Sequence, residues 1–402
     1  MTTRHPDGLA RVLADDVALP VAVIRQSALD NNLAWMSAFA RHHGLSLAPH
    51  GKTTMSPELM AMQMEHGAWG MTAANPFHAA LYAQWGIERI IIANQIVGRR
   101  SMDALTGLMR DHPSAEVYCL VDSAAGVAAL SEAGSAARLG RTMRVLIEIG
   151  DAGQRAGVRS TAEALAVARA AHAAAGIALA GVEIFEGVHA DGAGSGAQLE
   201  RFAEAVRAIV GEGLIETAEV IVSAGGSLFY DQAAATMLAA SADRPLRPVL
   251  RSGCYLTHDH GMYADAHHGI AVRGLVALPA GGLQPALEVW AHVQSRPEPG
   301  QAIAALGKRN ISSDAGLPVP LWHVRPGRDA RPMPLEGCTT AKLYDQHACL
   351  AVPPGCDLAY GDLIGFGISH PCTTFDKWRH LLIVDDNYRV TGRVSTHFGI
   401  VA

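Results

Sequence analysis

Over the first two thirds of the chain, short runs rich in β-branched and apolar residues alternate with longer, Ala-rich segments of helical character. The runs that predict strands are Ser46–Pro49, Gly70–Thr72, Arg89–Ile92, Val117–Val121, Arg144–Ile149, Ile177–Ile184, Glu219–Ser223 and Pro248–Leu250. Between them the spacing predicts helices such as Ser56–His66, Pro76–Trp85, Ala124–Ala133, Thr161–Ala174 and Ala197–Val210. Ser56–Pro57 is a helix start, with the serine capping and the proline in the first turn. Strand–helix alternation implies parallel strands joined by crossover helices. Eight such repeats suggest a closed (β/α)8 TIM-type barrel rather than an open sheet. A dinucleotide-binding sheet would carry GxGxxG after its first strand, and none is present.

Beyond about residue 270 the texture changes. Gly274–Leu278, Ala286–Gln294, Cys349–Val352 and Leu381–Val384 are short apolar runs separated by Gly, Pro and Asp, and long Ala-rich stretches disappear. This predicts an antiparallel β domain, with Arg325–Pro334 as a surface loop. The expected division is an α/β barrel over residues 25–270 and a β domain over 271–402. Residues 1–24, with the strand Val21–Ile24, are expected to join the second domain.

Composition narrows the class. Hydrophobic residues make up 49% of the 402 positions and charged residues 17%. Such a chain can bury a large core in about two domains. The net charge is −6 and no Lys/Arg run is long enough to track a phosphate backbone, which argues against a nucleic-acid partner. No window approaches 18 uninterrupted apolar residues, so no membrane span is expected. The N-terminal stretch lacks a signal peptide's apolar core, and Asp7, Asp15 and Asp16 argue against a transit peptide. Six cysteines without CxxC spacing read as reduced thiols in the cytoplasm.

Active sites of such barrels lie where the strands end at their C-terminal edge. Lys52 passes that test, following the first barrel strand in Pro49–His50–Gly51–Lys52–Thr53, where a lysine can form a Schiff base with an aldehyde. Position alone leaves it open to being a solvated surface charge. Val222–Ser227 (VSAGGS) follows the seventh strand and Arg251–Tyr255 (RSGCY) the eighth. Loops after strands 7 and 8 are the usual phosphate site in these barrels, their glycines letting the backbone approach an anion. The plainer reading, tight turns only, is weakened because two such loops occur together. Near the C-terminus His370 and Cys372 stand at i and i+2 on an extended segment and point the same way. Imidazole plus thiolate is a soft pair that suits Zn²⁺, and two protein ligands leave positions for water and substrate. Spacing alone is equally met by a buried Cys beside a hydrogen-bonded His.

Taken together, these segments resemble the fold-type III pyridoxal-phosphate enzymes, and within them the D-serine dehydratase and D-threonine aldolase group, from about Leu19 to the C-terminus. The resemblance implies that Lys52, in Pro-His-x-Lys-Thr, carries pyridoxal 5'-phosphate. It implies a divalent metal at His370 and Cys372: zinc, or else manganese or magnesium. The aldolase branch usually has Asp at the second ligand position, so Cys372 points toward the dehydratases. By the same resemblance Arg155 contacts the cofactor's phenolic oxygen, Ser223, Gly225, Gly226, Gly253 and Cys254 match the phosphate loops, and Arg251 matches the residue facing the pyridine nitrogen. Phe185 stands where relatives often place a His stacked on the ring. His258 and His260 are expected at the surface or entrance, and His347 has either a structural role or a substrate contact. The implied activity is a lyase that dehydrates and deaminates a small β-hydroxy D-amino acid (D-serine, D-threonine or 3-hydroxy-D-aspartate) to a 2-keto acid and ammonia. The alternatives are retro-aldol cleavage to glycine and an aldehyde, a racemase, or a non-catalytic cofactor-binding protein. Family members are homodimers with sites between the barrel of one subunit and the β domain of the other.

Overall fold

The computed structural model describes residues 10–189, 192–240 and 244–399. Asp7, used above against a transit peptide, lies outside them, as do the rest of residues 1–9. A first strand, β1 (Val21–Arg25), leads into α1 (Gln26–His42). Eight parallel strands follow: β2 (Ser46–Leu47), β3 (Met71–Ala73), β4 (Arg89–Gln95), β5 (Glu116–Val121), β6 (Met143–Ile149), β7 (Ile177–Ile184), β8 (Val220–Ala224) and β9 (Leu246–Leu250). They run in the order β2-β9-β8-β7-β6-β5-β4-β3. The ends meet without a regular ladder: Trp69 N–H donates to Leu47 O at 2.7 Å and Thr72 N–H to Pro49 O at 2.9 Å. The sheet is therefore a nearly closed barrel.

The strand periodicity explains the two cores. Ile91, Leu120, Leu146, Ala180, Ile221 and Val249 fill the barrel interior. Their neighbours Ile90, Ile92, Cys119, Val145 and Val222 face the helices instead. Side chains alternate across a strand, so each run supplies both layers and reads as continuously apolar. Small polar caps start the helices after their strands. Ser56 Oγ accepts from Leu59 N–H before α2 (Pro57–Glu65), Asn75 caps α3 (Pro76–Gln84), and Ser160 caps the Thr161–Ala173 helix. The Ser56–Pro57 start is as the sequence predicts.

The second domain is a mixed, curled sheet rather than a purely antiparallel one. Its strands are β10 (Leu287–Glu298), β11 (Gln301–Ala304), β12 (Val319–Val324), β13 (Met333–Pro334), β14 (Thr339–Leu343), β15 (Ala348–Ala351), β16 (Leu363–Gly367), β17 (His380–Val384) and β18 (Val390–Ser395). β1 joins it, antiparallel to β10 and parallel to β17. That parallel pair is possible because most of the chain intervenes between its strands. Gly274–Leu278 is not a strand. Gly274 is instead a left-handed cap, at φ 59°, on the Met262–Arg273 helix, the usual role of a glycine just past a helix end. The chain leaves it irregularly. At the domain's centre the fully buried Glu288 carboxylate accepts from Trp290 Nε1 at 2.9 Å, Tyr388 OH at 2.9 Å and Trp322 Nε1 at 3.2 Å. Three donors satisfy a group whose burial would otherwise cost several kcal/mol. Among the described residues no helix is long and apolar enough to cross a membrane.

The domains are stitched where the site lies. Ser395 N–H and Oγ both reach the Glu58 carboxylate, at 3.2 and 3.0 Å, and His397 N–H donates to Met55 O at 2.8 Å. These bonds hold the C-terminal strands against the segment that follows Lys52.

Candidate active site

A cavity of about 400 Å³ opens at the C-terminal edge of the barrel strands. Lys52 sits on its wall in a 3₁₀ turn, Gly51–Thr53, directly after the first barrel strand. The turn is started by His50, whose Nδ1 accepts Lys52 N–H at 3.4 Å. Burial, with Lys52 and Arg251 nearby, holds the His50 imidazole well below its usual pKa. The ring is therefore held neutral, which leaves Nδ1 able to accept the Lys52 N–H.

The second arm comes from the other end of the chain. The short helix Cys372–Phe375 packs on the Lys52 turn, and Cys372 Sγ lies 3.4 Å from Thr53 Oγ1 across 319 positions of sequence. His370 Nδ1 meets Asp314 Oδ2 at 2.7 Å, and Asp314 Oδ1 accepts from Thr373 Oγ1 at 2.6 Å. Asp314 thereby fixes the ring and leaves Nε2 toward Cys372. The Cys372 contact, then Asp314, raise the His370 pKa. Contacts from Cys254, His370 and Thr53 pull the Cys372 thiol down despite its burial. Cys254, 3.6 Å from Cys372 Sγ, is pushed up by that contact and by burial. Of the two thiols, Cys372 is thus the more acidic, because His370 and Thr53 also contact it.

At the barrel end Arg251 is almost fully buried and forms an ion pair with Glu183; its NH1 donates to Ser223 Oγ at 2.6 Å and its NH2 to Ile184 O at 3.1 Å. Arg251 Nε and Glu183 Oε2 have no partner among the described residues. Ser223 is fully buried, with its hydroxyl committed to Arg251 and to Val249 O at 3.1 Å, and it does not reach the cavity. Arg155 and Phe185 line the cavity as neighbours, the guanidinium 5.1 Å from the ring centroid, within cation–π range. Gly225, Gly226, Gly253 and Cys254 also line it. Cys254 contributes its thiol, since its N–H is taken by Ser227 Oγ at 3.3 Å.

Over half of the chain, residues 24–240, matches the alanine racemase N-terminal domain, and residues 286–384, which carry His370 and Cys372, match the putative serine dehydratase domain. The chain belongs to the fold-type III pyridoxal-phosphate enzymes, in the D-serine dehydratase and D-threonine aldolase group. It is 27% identical to a D-threonine aldolase of Arthrobacter sp over 391 residues, covering 94% of this chain and 91% of the relative. A 3-hydroxy-D-aspartate aldolase of Paracoccus denitrificans is 26% identical over 75% of each chain. The solved D-threonine aldolase from Filomicrobium marinum superposes with a TM-score of 0.76 at 27% identity, covering 98% of both chains.

The residues present fit the family's cofactor. Lys52, Arg251 Nε and the backbone N–H groups of Ser227, Leu228 and Gly253, all without a partner among the described residues apart from Lys52, border one cavity. His370 and Cys372 line the same cavity and are a nitrogen–sulfur pair of the kind that holds zinc, but among the described residues no third His, Cys, Asp or Glu side chain joins them in a metal-holding group.

Several residues that line this wall, and Asp314 that supports it through His370, escaped sequence reasoning. Glu148, Glu183, Asp314 and Tyr263 stand alone in sequence, without spacing that marks them. Glu183 had a usable signal, lying near the end of the sixth barrel strand, two residues before the residue taken as the ring contact. His258 and His260 are not at the surface: the Cys254–Leu256 3₁₀ turn folds them inward, and burial lowers each imidazole to about 4. His347 lies exposed in the β14–β15 turn, away from the cavity.

Proposed function

We propose that this chain is a lyase that uses pyridoxal phosphate on Lys52 and a divalent metal at His370 and Cys372 to eliminate water from a small β-hydroxy D-amino acid. The products are a 2-keto acid and ammonia; D-serine would give pyruvate. The observation that carries the reading is the contact of Cys372 with Thr53, beside Lys52, which sets both groups on one cavity. When bound, the cofactor supplies an electron sink next to Cα and the metal a Lewis acid for the β-hydroxyl.

Each protein group then has a defined task. Lys52 Nζ would hold the cofactor's aldehyde and is the amine placed to take the Cα proton. Asp314 keeps the His370 proton on Nδ1, so that Nε2 is a ligand. Cys372 completes the pair as thiolate. Arg251, locked by Glu183 and Ser223, would offer its guanidinium to the cofactor ring, and Arg155 with Phe185 lines the same cavity.

Retro-aldol cleavage is the second reading, favoured by the names of the relatives at 26–27% identity. It uses the same groups on a different bond. Incubating the loaded enzyme with D-serine, D-threonine and 3-hydroxy-D-aspartate separates them. Ammonia and keto acid support elimination; glycine with an aldehyde overturns it in favour of the aldolase. Turnover that survives chelation, with inversion at Cα, would indicate a racemase instead. A homodimer is proposed on the family's pattern, with size-exclusion mass as its check.

A further inference from the structure

Glu186 is fully buried, and neither arm of the site uses it. Its carboxylate accepts Gly225 N–H at 3.1 Å and Gly226 N–H at 2.7 Å. The fit is close: a Cβ on Gly226 would come 2.8 Å from Glu186 Oε1. The Gly226 carbonyl is taken in turn by Ser252 Oγ at 2.6 Å. The anion that these two glycines approach is therefore one of the chain's own, and the Gly225–Gly226 turn is fastened at both N–H groups and at its carbonyl.

The residues beyond the turn are free. The backbone N–H groups of Ser227, Leu228 and Gly253 find no acceptor among the described residues, and all three residues line the cavity. Ser227 Oγ, by accepting Cys254 N–H at 3.3 Å, ties the two loops together. The Gly225 and Gly226 N–H groups are already spent on the Glu186 carboxyl and are not available to a phosphate. It is directed to the next donors along.

We propose that Glu186 is a positioning residue for the cofactor phosphate: it splints the Gly225–Gly226 turn so that the N–H groups of Ser227, Leu228 and Gly253 converge on the phosphate. This rests on the cofactor reading above. The test compares pyridoxal phosphate with pyridoxal, which has the aldehyde but no phosphate, by titrating the metal-free full chain and following the absorbance of the aldehyde joined to Lys52. Glu186→Gln keeps the shape but turns an NH₂ toward one of the two N–H groups. It should weaken pyridoxal phosphate by about tenfold or more and change pyridoxal by less than about threefold. Glu186→Asp, which keeps the charge, should recover part of the loss. Equal loss of both aldehydes in Glu186→Gln would mean a general structural role, and unchanged or tighter pyridoxal phosphate binding would mean that Glu186 does not serve the loop; either overturns the proposal. If the unsubstituted chain joins neither aldehyde, the cofactor reading fails first, and the proposal with it.

Discussion

Replacing Asp314 with Asn should weaken metal binding without touching the cofactor. The His370 backbone is anchored independently, its N–H donating to Ser312 Oγ at 3.1 Å, so the segment keeps its place. What changes is the ring. His370 Nδ1 lies 2.7 Å from Asp314 Oδ2, and a 2.6 Å bond from Thr373 aims that carboxylate. The contact to the ring is charge-assisted, the stronger kind of hydrogen bond. An amide can still accept from Nδ1–H, but as a neutral partner. Loss of such a supporting carboxylate usually costs about 10–100-fold in metal affinity. The Asp314 side chain is 49% exposed, so water shares the work and the lower end applies. That is about tenfold, or about 1.4 kcal/mol. Zinc competition against a chromophoric chelator measures it in the cofactor-loaded protein, with the visible cofactor band as a control. Asp314→Ala, which also strands Thr373, should weaken the metal at least as much. If both variants bind zinc as the parent does, the account of how His370 is oriented is wrong.

Lys52→Ala should abolish the visible band of the lysine-bound cofactor yet retain zinc; a surviving band would refute the lysine assignment. Arg251→Met leaves Glu183 buried without its partner and should cost about 3–5 kcal/mol in urea unfolding, much of it recovered by adding Glu183→Gln; additive losses would contradict the pairing. His258 is held at about 4 by burial and by His267, and His260 at about 4 by burial, His258 and Arg25. Each therefore binds a proton less readily when folded than the ordinary imidazole. Their contribution is present above about pH 6.5 and is lost as pH falls toward 4, on the order of 3 kcal/mol per ring at full effect. His258 sits at φ 48°, a left-handed conformation that asparagine tolerates. His258→Asn should therefore fold and flatten stability between about pH 6.5 and about pH 4; an unchanged acid slope would refute the assignment.

The barrel was legible because each strand is a short apolar run followed by a capped helix, as at Ser56 and Asn75, and both signals are local. Strand ends shifted by a residue or two, since pairing rather than propensity sets where a ladder stops. Gly274–Leu278 failed because apolar character was read without the left-handed glycine cap before it. Lys52, His370 and Cys372 were marked only through the family resemblance, and the structure brings all three to one cavity. Asp314, Glu183 and Glu186 were not marked, since a single carboxylate acquires meaning only from what folding places against it. The glycines at 225 and 226 were marked for a cofactor phosphate, whereas their N–H groups go to the Glu186 carboxyl, 39 and 40 residues away from them in sequence. His258 and His260 looked like surface residues because their polarity was weighed without the turn that buries them.

The most direct test loads the enzyme with cofactor, strips its metal, and titrates zinc or manganese back while product forms from D-serine and 3-hydroxy-D-aspartate. The account predicts turnover rising in step with bound metal to a single ion per chain, with the Lys52-linked band present throughout. Full turnover without metal would contradict it.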